Sequence, residues 1–146
     1  MTSHSFPIRV YYEDTDHGGV VYYANYLKFM ERGRTEFLRE LDIQLDEIHQ
    51  QEGVMFAVTH ADIHYRSAAH FNDALVVKSK LIQAKGARLA FQQSVWRASK
   101  TDDVPTLLTQ AEIQLACIDN DGKATRIPAN LLNMLQQHID IEGEQP

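Results

Sequence analysis

The sequence predicts an α+β domain in which one long helix lies against a five-stranded antiparallel sheet. Three observations lead to this prediction: apolar residues recur at helical spacing after residue 25, four later segments alternate apolar and polar residues, and turn-forming residues separate those segments. A chain of 146 residues has the length of one domain. We therefore expect a single domain over 1–146, with loose tails at 1–6 and 141–146.

The first predicted strand spans residues 8–12, whose sequence IRVYY is rich in β-branched and aromatic side chains. A long helix follows, because these apolar residues recur at helical spacing: Leu27, Met30, Phe37, Leu38 and Leu41. Asn25 is its predicted N-cap. Gly33 lies inside this helix, where glycine costs about 1 kcal/mol relative to alanine. Its presence therefore predicts close packing of the helix on the sheet.

The hydrophobic period then changes. A short helix is predicted at 44–51, and alternation predicts four half-buried strands in the segments VMFAVTHADIHYRS, LVVKSKLIQ, RLAFQQSVWRA and TLLTQAEIQLACI. Turn residues occur at 72–73, 85–86, 100–105 and 119–122. Pro128 suits the first turn of a closing amphipathic helix at 129–137.

Part of the predicted apolar surface needs further cover. One long helix shields a single face of a sheet, and more apolar surface comes from Ala57, Ala61, Ile63 and Trp96. Surface of this kind is commonly buried against another subunit. The sequence therefore predicts a homodimer.

Charge and composition exclude several classes of function. The net charge of −6 argues against broad electrostatic binding to nucleic acid or anionic lipid. Cys117 is the only cysteine, which excludes an intramolecular disulfide and fits a reducing compartment. Residues 1–7 lack a secretory signal pattern, and no apolar run approaches the roughly 18 residues of a membrane span. We expect a soluble, cytoplasmic protein.

Three carboxylates crowd the end of the first predicted strand: Glu13, Asp14 and Asp16. Neighbouring carboxylates repel, and such clusters are common at active sites. Gly18 and Gly19 then lead into a helix whose first N–H groups have no partner within the helix and carry the positive end of its dipole. Acyl transfer requires this arrangement, because the carboxylate attacks or activates water while the donors stabilise the oxyanion. The alternative is a solvated acidic turn.

No metal site is predicted. The segment from Asp14 resembles the opening of a calcium loop, but Asn25 stands where a bidentate glutamate belongs, and a strand precedes the segment. His60 and His64 share one face of a strand, yet at about 3.3 Å per residue they lie about 13 Å apart, too far to share an ion. Cys117 lies on an apolar strand face and is predicted to be a packed apolar residue.

The segment VYYEDTDHGGVVYYANYLKFMERGRTEFLRELDI, residues 10–43, resembles the signature of the 4-hydroxybenzoyl-CoA thioesterase family. The likeness continues through YRSAAHFNDALVV and ends near RIPANLL, and it is strongest to the branch encoded with the bacterial Tol-Pal envelope system. The resemblance implies a hotdog fold, in which a sheet wraps the long helix and two subunits form one continuous sheet. It also implies active sites at the dimer interface, and dimers that pair into tetramers.

The resemblance implies roles for individual residues as well. The catalytic carboxylate of the family is the last acid of its DxD motif, which corresponds to Asp16. The backbone N–H that polarises the thioester carbonyl corresponds to Tyr23, and the glycine of the preceding turn to Gly19. Glu31 corresponds to a position near the acyl group in the aromatic branch and could shape acyl preference; the alternative is a solvated surface charge. Two residues depart from the Tol-Pal branch, because Tyr23 replaces a histidine and His17 a small residue or proline.

Coenzyme A carries phosphates, so a chain with a net charge of −6 must meet them with local cations. Lys85 and Arg88 flank the Gly86 turn and are the first candidates, because the family often carries basic residues in that hairpin. Arg66 and Arg126 are weaker candidates. For each of the four, the alternative is a solvated surface charge.

The sequence is therefore interpreted as that of an acyl-CoA thioesterase that uses no cofactor. One alternative is a non-hydrolytic module that binds acyl-CoA or acyl carrier protein at the Tol-Pal envelope machinery. Another is a hotdog enoyl-CoA hydratase, which usually places a histidine across the interface; the helix segment has none between His17 and His49. The acyl group, and the choice between covalent and direct water attack, stay open.

Overall fold

The computed structural model describes residues 3–99, 101 and 104–140, and these residues form one five-stranded antiparallel sheet with three helices. The strands are β1 (Ser3–Arg9), β2 (Met55–Tyr65), β3 (Ala74–Lys85), β4 (Arg88–Arg97) and β5 (Thr106–Ile118). The helices are α1 (Asn25–Glu40), α2 (Leu45–Glu52) and α3 (Ala129–Gln136). The strand order is β1-β3-β4-β5-β2. The α+β class is confirmed, although α2 and α3 accompany the one long helix that the fold class named.

The first strand begins and ends earlier than the sequence predicts. Strand β1 begins at Ser3, so residues 3–6 pair with β3 and do not form a loose tail. The strand ends at Arg9, earlier than predicted, because Tyr11 N–H donates to Oδ2 of Asp14 at 2.8 Å and the chain turns through a 3₁₀ segment, Tyr12–Asp14. The predicted tail at 141–146 lies outside the described residues.

Helix α1 buries its apolar side against β1, β3 and β4. The buried aromatic and aliphatic residues of this side are Tyr26, Phe29, Met30, Phe37 and Leu38. Phe37 meets Phe91 of β4 edge to face, with 5.6 Å between ring centroids. This packing fixes the helix over β1, β3 and β4.

Gly33 confirms the predicted close approach of helix and sheet. A Cβ atom there would lie 2.7 Å from Cγ1 of Val77 and 3.1 Å from Oγ of Ser79. Contacts that short do not occur between packed carbon atoms, so only glycine allows this spacing.

The predicted N-cap is wrong. Ala24 precedes the first helical residue, and Asn25 lies inside the helix with its side chain buried. Its Nδ2 donates instead to the carbonyl oxygen of Asp14 at 2.8 Å. Asn25 therefore attaches the helix to the acidic segment and does not cap it.

A buried polar network lies beneath α1. Gln93 Nε2 donates to the Met30 carbonyl oxygen and to Ser79 Oγ, both at 2.9 Å. Its Oε1 accepts from Nη1 of Arg34 at 2.9 Å. Burial lowers the pKa of Arg34, and the nearby Glu31 carboxylate opposes this shift. The network joins α1 to β3 and β4 through satisfied hydrogen bonds.

Strand β2 forms one edge of the sheet and pairs only with β5 among the described strands. Most of its residues are exposed or half-buried, including Val58, which is 49% exposed. The predicted turns are confirmed at Asn72, Gly86 and Gly122, all with positive φ. None of the described helices is long and apolar enough to cross a bilayer.

Candidate active site

The acidic segment forms a hairpin that we call the acidic hairpin, residues 14–22. Thr15 pairs with Val21, and Asp16 N–H donates to the Val20 carbonyl oxygen at 2.9 Å. Gly19 N–H donates back to the Asp16 carbonyl oxygen at 3.0 Å, with Gly19 at a φ of 83° that favours glycine. Val21 N–H also donates to Ala69 at 2.8 Å, which docks the hairpin on the loop after β2.

Asp14 is held within this hairpin through one carboxylate oxygen and its carbonyl oxygen. Its carboxylate accepts from Tyr11 N–H, as described above, and its carbonyl oxygen accepts from Tyr22 N–H at 2.9 Å and from Asn25 Nδ2 at 2.8 Å. These bonds join strand end, hairpin and helix. Asp14 therefore has a positioning role in the local structure, and its side chain is half-buried.

Asp16, in contrast, lies exposed at the hairpin tip. One carboxylate oxygen, Oδ1, accepts from Gly18 N–H at 2.8 Å. The other oxygen receives no hydrogen bond from the described part of the chain. A single bond orients the carboxylate, and one oxygen is left for a ligand.

The chain enters α1 with unused amide donors. Asn25 N–H donates to the Tyr22 carbonyl oxygen at 2.8 Å, but the N–H groups of Tyr23 and Ala24 donate to no acceptor in residues 3–99, 101 and 104–140. They lie at the positive end of the helix dipole. The entry to the helix can therefore accept a developing negative charge.

Tyrosine side chains that the sequence interpretation missed support this entry. Tyr65 Oη donates to the Tyr23 carbonyl oxygen at 3.2 Å, and Tyr26 Oη accepts from Ala69 N–H at 3.1 Å. Burial raises the pKa of both phenols, so both stay protonated at neutral pH. Periodicity places Tyr26 on the buried side of α1, but no local signal connects Tyr65 to a residue so distant in the chain.

An apolar groove of about 540 Å³ lies between α1 and the edge strand β2, and Glu31 stands on its rim. We call it the α1–β2 groove; it is lined by Leu27, Lys28, Glu31, Arg32, Arg34, Val58, Ala61 and Ile113. The Glu31 carboxylate accepts from the hydroxyl of Thr35 one turn further along the helix. The groove thus begins one turn beyond the unused amides of the helix entry.

The predicted phosphate-binding cations lie elsewhere. Lys85 and Arg88 occupy opposite positions in the hairpin that joins β3 to β4. Arg126 lies near this hairpin, because the N–H of the next residue, Ile127, donates to the Gly86 carbonyl oxygen at 2.9 Å. Strand β3 starts next to the acidic hairpin and runs 12 residues at about 3.3 Å each, so these cations lie roughly 36 Å from Asp16 within one chain. One chain therefore does not bring them together with Asp16. Arg66 instead donates to Gln110 at 3.0 Å.

No group of three or more potential metal ligands is found among the described residues. His60 and His64 occupy exposed positions on β2, and His17 is exposed in the acidic hairpin. Cys117 is fully buried, which raises the pKa of its thiol.

Comparison with known proteins shows the family of the chain. The model of the thioesterase-like superfamily matches residues 10–135. The acyl-CoA thioesterase YbgC of Haemophilus influenzae is 42% identical over 115 residues, covering 79% of this chain and 80% of that protein. The acyl-CoA thioester hydrolase YbgC of Escherichia coli is 39% identical, covering 78% and 81%.

Solved structures extend the comparison. A probable thioesterase from Bartonella henselae superimposes with a TM-score of 0.79 at 35% identity, covering 86% of this chain and 99% of its own. A 4-hydroxybenzoyl CoA thioesterase variant complexed with 4-hydroxybenzoyl CoA gives a TM-score of 0.85 at 16% identity, covering 92% and 99%, which shows the shared hotdog fold alone. The chain belongs to the thioesterase-like superfamily.

Proposed function

We propose that this protein is an acyl-CoA thioesterase that hydrolyses an acyl-CoA to the free carboxylic acid and CoA. The observation that carries the proposal is the exposed Asp16 carboxylate in the acidic hairpin, followed at the entry to α1 by the unused N–H groups of Tyr23 and Ala24. The relatives named as acyl-CoA thioesterases, at 39–42% identity, support the substrate class.

Residues of the acidic hairpin and of the helix entry have separate tasks in this mechanism. The Tyr23 N–H donates to the thioester carbonyl oxygen and stabilises the oxyanion, assisted by the dipole of α1. Asp16 either attacks the carbonyl carbon or removes a proton from the attacking water. The bond between carbon and sulfur then breaks, and CoA leaves as a thiolate. If Asp16 attacks, water next cleaves the mixed anhydride between Asp16 and the acyl group, which releases the acid and frees Asp16, and a proton of that water neutralises the thiolate. If Asp16 acts as the base, the proton that it took from water passes to the thiolate. Gly19 keeps the turn tight enough for the substrate to approach.

The acyl group occupies the α1–β2 groove in this proposal, because the groove is apolar and begins beside the helix entry. Glu31 on its rim contacts the acyl group and influences acyl preference. Lys85 and Arg88 bind the CoA phosphates from a second subunit, because within one chain they lie too far from Asp16. Arg126 is close enough to their hairpin to join them.

Assembly follows from the exposed edge of the sheet. Two copies of β2 pair to form one continuous sheet around the two long helices, which completes the hotdog architecture as a homodimer. Dimers pair again into a tetramer, and the enzyme works in the cytoplasm on acyl-CoA or on acyl carrier protein.

Asp16→Asn tests the assignment. We expect turnover to fall between about 10²-fold and 10⁴-fold, because the amide neither attacks nor takes a proton. Release of thiol from short, medium, long and aromatic acyl-CoAs, and from acyl carrier protein thioesters, measures the effect. A non-hydrolytic binding module or an enoyl-CoA hydratase releases no thiol from any of them.

Asp14→Asn is the matched control, because it makes the same chemical change two residues away on a carboxylate whose task is to hold the hairpin. We expect it to retain most of the turnover. Unchanged turnover in Asp16→Asn, with the melting temperature preserved, refutes the assignment.

A further inference from the structure

The two ends of the peptide group between Tyr23 and Ala24, at the entry to α1, differ in their hydrogen bonding. Its N–H, which belongs to Ala24, donates to no acceptor in the described part of the chain. Its carbonyl oxygen, which belongs to Tyr23, accepts from Tyr65 Oη at 3.2 Å and from Tyr26 N–H at 3.4 Å. The Tyr65 phenol therefore supplies the shorter of the two bonds that hold this peptide group.

Holding the carbonyl of this peptide group also fixes the direction of its N–H, because a peptide group is planar. Asn25 N–H closes the turn that contains it by donating to the Tyr22 carbonyl oxygen, and Ala24 has helical φ and ψ of −69° and −19°. In a helical turn the first N–H groups point out of the N-terminal end. The unused N–H groups of Tyr23 and Ala24 therefore leave the helix entry in the same direction.

The Tyr65 side chain is itself held on several sides. Its ring packs edge to face against Tyr23 and Tyr26, with centroids 6.0 Å and 5.6 Å away. Strand β2 ends at Tyr65, which pairs with Thr109 of β5, and the N–H of the next residue, Arg66, donates to β5 at 2.8 Å. The sheet and the two neighbouring rings thus present the Tyr65 hydroxyl to the Tyr23 carbonyl.

We propose that Tyr65 is a positioning residue, which aims the Ala24 N–H so that it joins the Tyr23 N–H as a second donor to the thioester carbonyl oxygen. The oxyanion of acyl transfer is stabilised by donors that are fixed in place before the reaction. A carbonyl that accepts a hydrogen bond also polarises its own peptide group and strengthens the N–H at the other end, by about 10–30%. Tyr65 does not touch the substrate, and this role rests on the proposed hydrolysis.

Tyr65→Phe removes the hydroxyl and keeps the ring between its neighbours. We expect kcat to fall about 10-fold while KM changes less than about twofold, because the aim of the N–H matters most when negative charge develops on the oxygen. Thiol release measures both constants, and thermal unfolding checks the fold. Tyr12→Phe is the matched control, since it makes the same change on a ring that is 74% exposed and stacks on Phe71. It should keep the wild-type kcat.

Two inert CoA analogues separate the aim of the donor from a general loosening of the site. In a ketone analogue a methylene group replaces the sulfur and the carbonyl oxygen stays, whereas a thioether analogue keeps the sulfur and lacks that oxygen. Tyr65→Phe should weaken binding of the ketone about 5-fold, the effect of one hydrogen bond, and leave binding of the thioether unchanged. Titration calorimetry measures both. A merely structural role of Tyr65 would weaken the two analogues equally.

Replacing Ala24 by lactic acid removes the second donor alone, because an ester oxygen takes the place of the N–H. We expect kcat to fall about 100-fold, as when one oxyanion donor is lost. Adding Tyr65→Phe to this protein should lower kcat by no more than about twofold, because no N–H is left to aim. This pair of measurements decides the role of Tyr65 even if the ring variant alone folds poorly.

The possible outcomes distinguish this role from the proposed function. Wild-type kcat in a folded Tyr65→Phe protein, equal weakening of the two analogues, or unchanged kcat after the Ala24 replacement overturns the role of Tyr65 and leaves the hydrolase assignment intact. A wild-type protein that releases no thiol from any acyl-CoA refutes the proposed function instead. The two analogues then still show whether the carbonyl oxygen is bound through Tyr65.

Discussion

One group of polar residues lies between helix α1 and the sheet and another lies at the N-terminus of the helix, and the two groups differ in how completely their hydrogen bonds are used. In the buried network, Gln93 alone makes three hydrogen bonds, to Met30, Ser79 and Arg34. In the acidic hairpin, the Asp16 carboxylate accepts one hydrogen bond, and at the helix entry that follows the N–H of Tyr23 has no acceptor among the described residues.

The difference separates structure from chemistry. Polar groups buried without a partner cost free energy, so the network under α1 must be satisfied within the chain. The hairpin lies at the surface, where water satisfies unused groups until a substrate replaces it. Residues with complete hydrogen bonding therefore fix the helix, and those with incomplete hydrogen bonding are left for a ligand.

The largest loss of stability should come from Gln93→Leu. The change leaves Arg34, Ser79 and the Met30 carbonyl without their shared partner in the core, and we expect a loss of about 3 kcal/mol in the free energy of unfolding. Urea unfolding measures it. Gln83→Leu, at an exposed position of β3, is the control and should change stability little. A Gln93→Leu protein as stable as the wild type would show that the network contributes nothing.

Gly33→Ala should have an intermediate effect. The new Cβ meets Val77 at 2.7 Å, and overpacking of this kind costs about 1–3 kcal/mol, while alanine recovers about 1 kcal/mol of helix propensity. We expect a net loss of up to about 2 kcal/mol. Thermal unfolding checks the value, and Arg32→Ala on the exposed side of the same turn serves as comparison. A stabilised Gly33→Ala protein would contradict the close packing.

The smallest effects on stability should come from substituting the two glycines of the acidic hairpin one at a time. Comparing the two variants separates the role of the turn from that of the Asp16 carboxylate. Gly19→Ala meets no atom within 4 Å but forces alanine to a φ of 83°, so it should cost about 1 kcal/mol of stability. Gly18→Ala brings a Cβ to 3.3 Å from Oδ1 of Asp16, so it should lower turnover severalfold while stability changes less.

Both variants are compared by thermal unfolding and by thiol release. Equal effects of Gly18→Ala and Gly19→Ala on both measurements would mean that the carboxylate and the turn are not separable.

Much of the fold follows from local patterns. Period-two alternation identifies the strands β2 to β5, and Gly33 predicts the helix contact because close packing is a reason to keep a residue that weakens the helix. The start of β1 is missed, because SHSF is short and polar and becomes a strand only through its pairing with β3. The same reason explains Asn25, since its partner, the Asp14 carbonyl, is brought close by the hairpin.

The sequence predicts only the part of the candidate site whose residues are close together in the chain. Asp16, Gly19 and Tyr23 lie within eight residues, so their proximity follows from one turn before one helix. The separation of Lys85 and Arg88 from Asp16 depends on the direction and length of β3, which composition does not reveal. Tyr65 supports the Tyr23 backbone across 42 residues of sequence, a contact that exists only after the sheet has formed.

The burial of Cys117 has a practical consequence. Its sulfur is inaccessible and its raised pKa keeps it protonated at neutral pH, and it is the only cysteine in the chain. A colorimetric reagent that reacts with thiolates should thus see no background from the folded enzyme. The absorbance then measures the released CoA alone. A slow further rise in absorbance would show that the protein is unfolding during the assay and exposing Cys117.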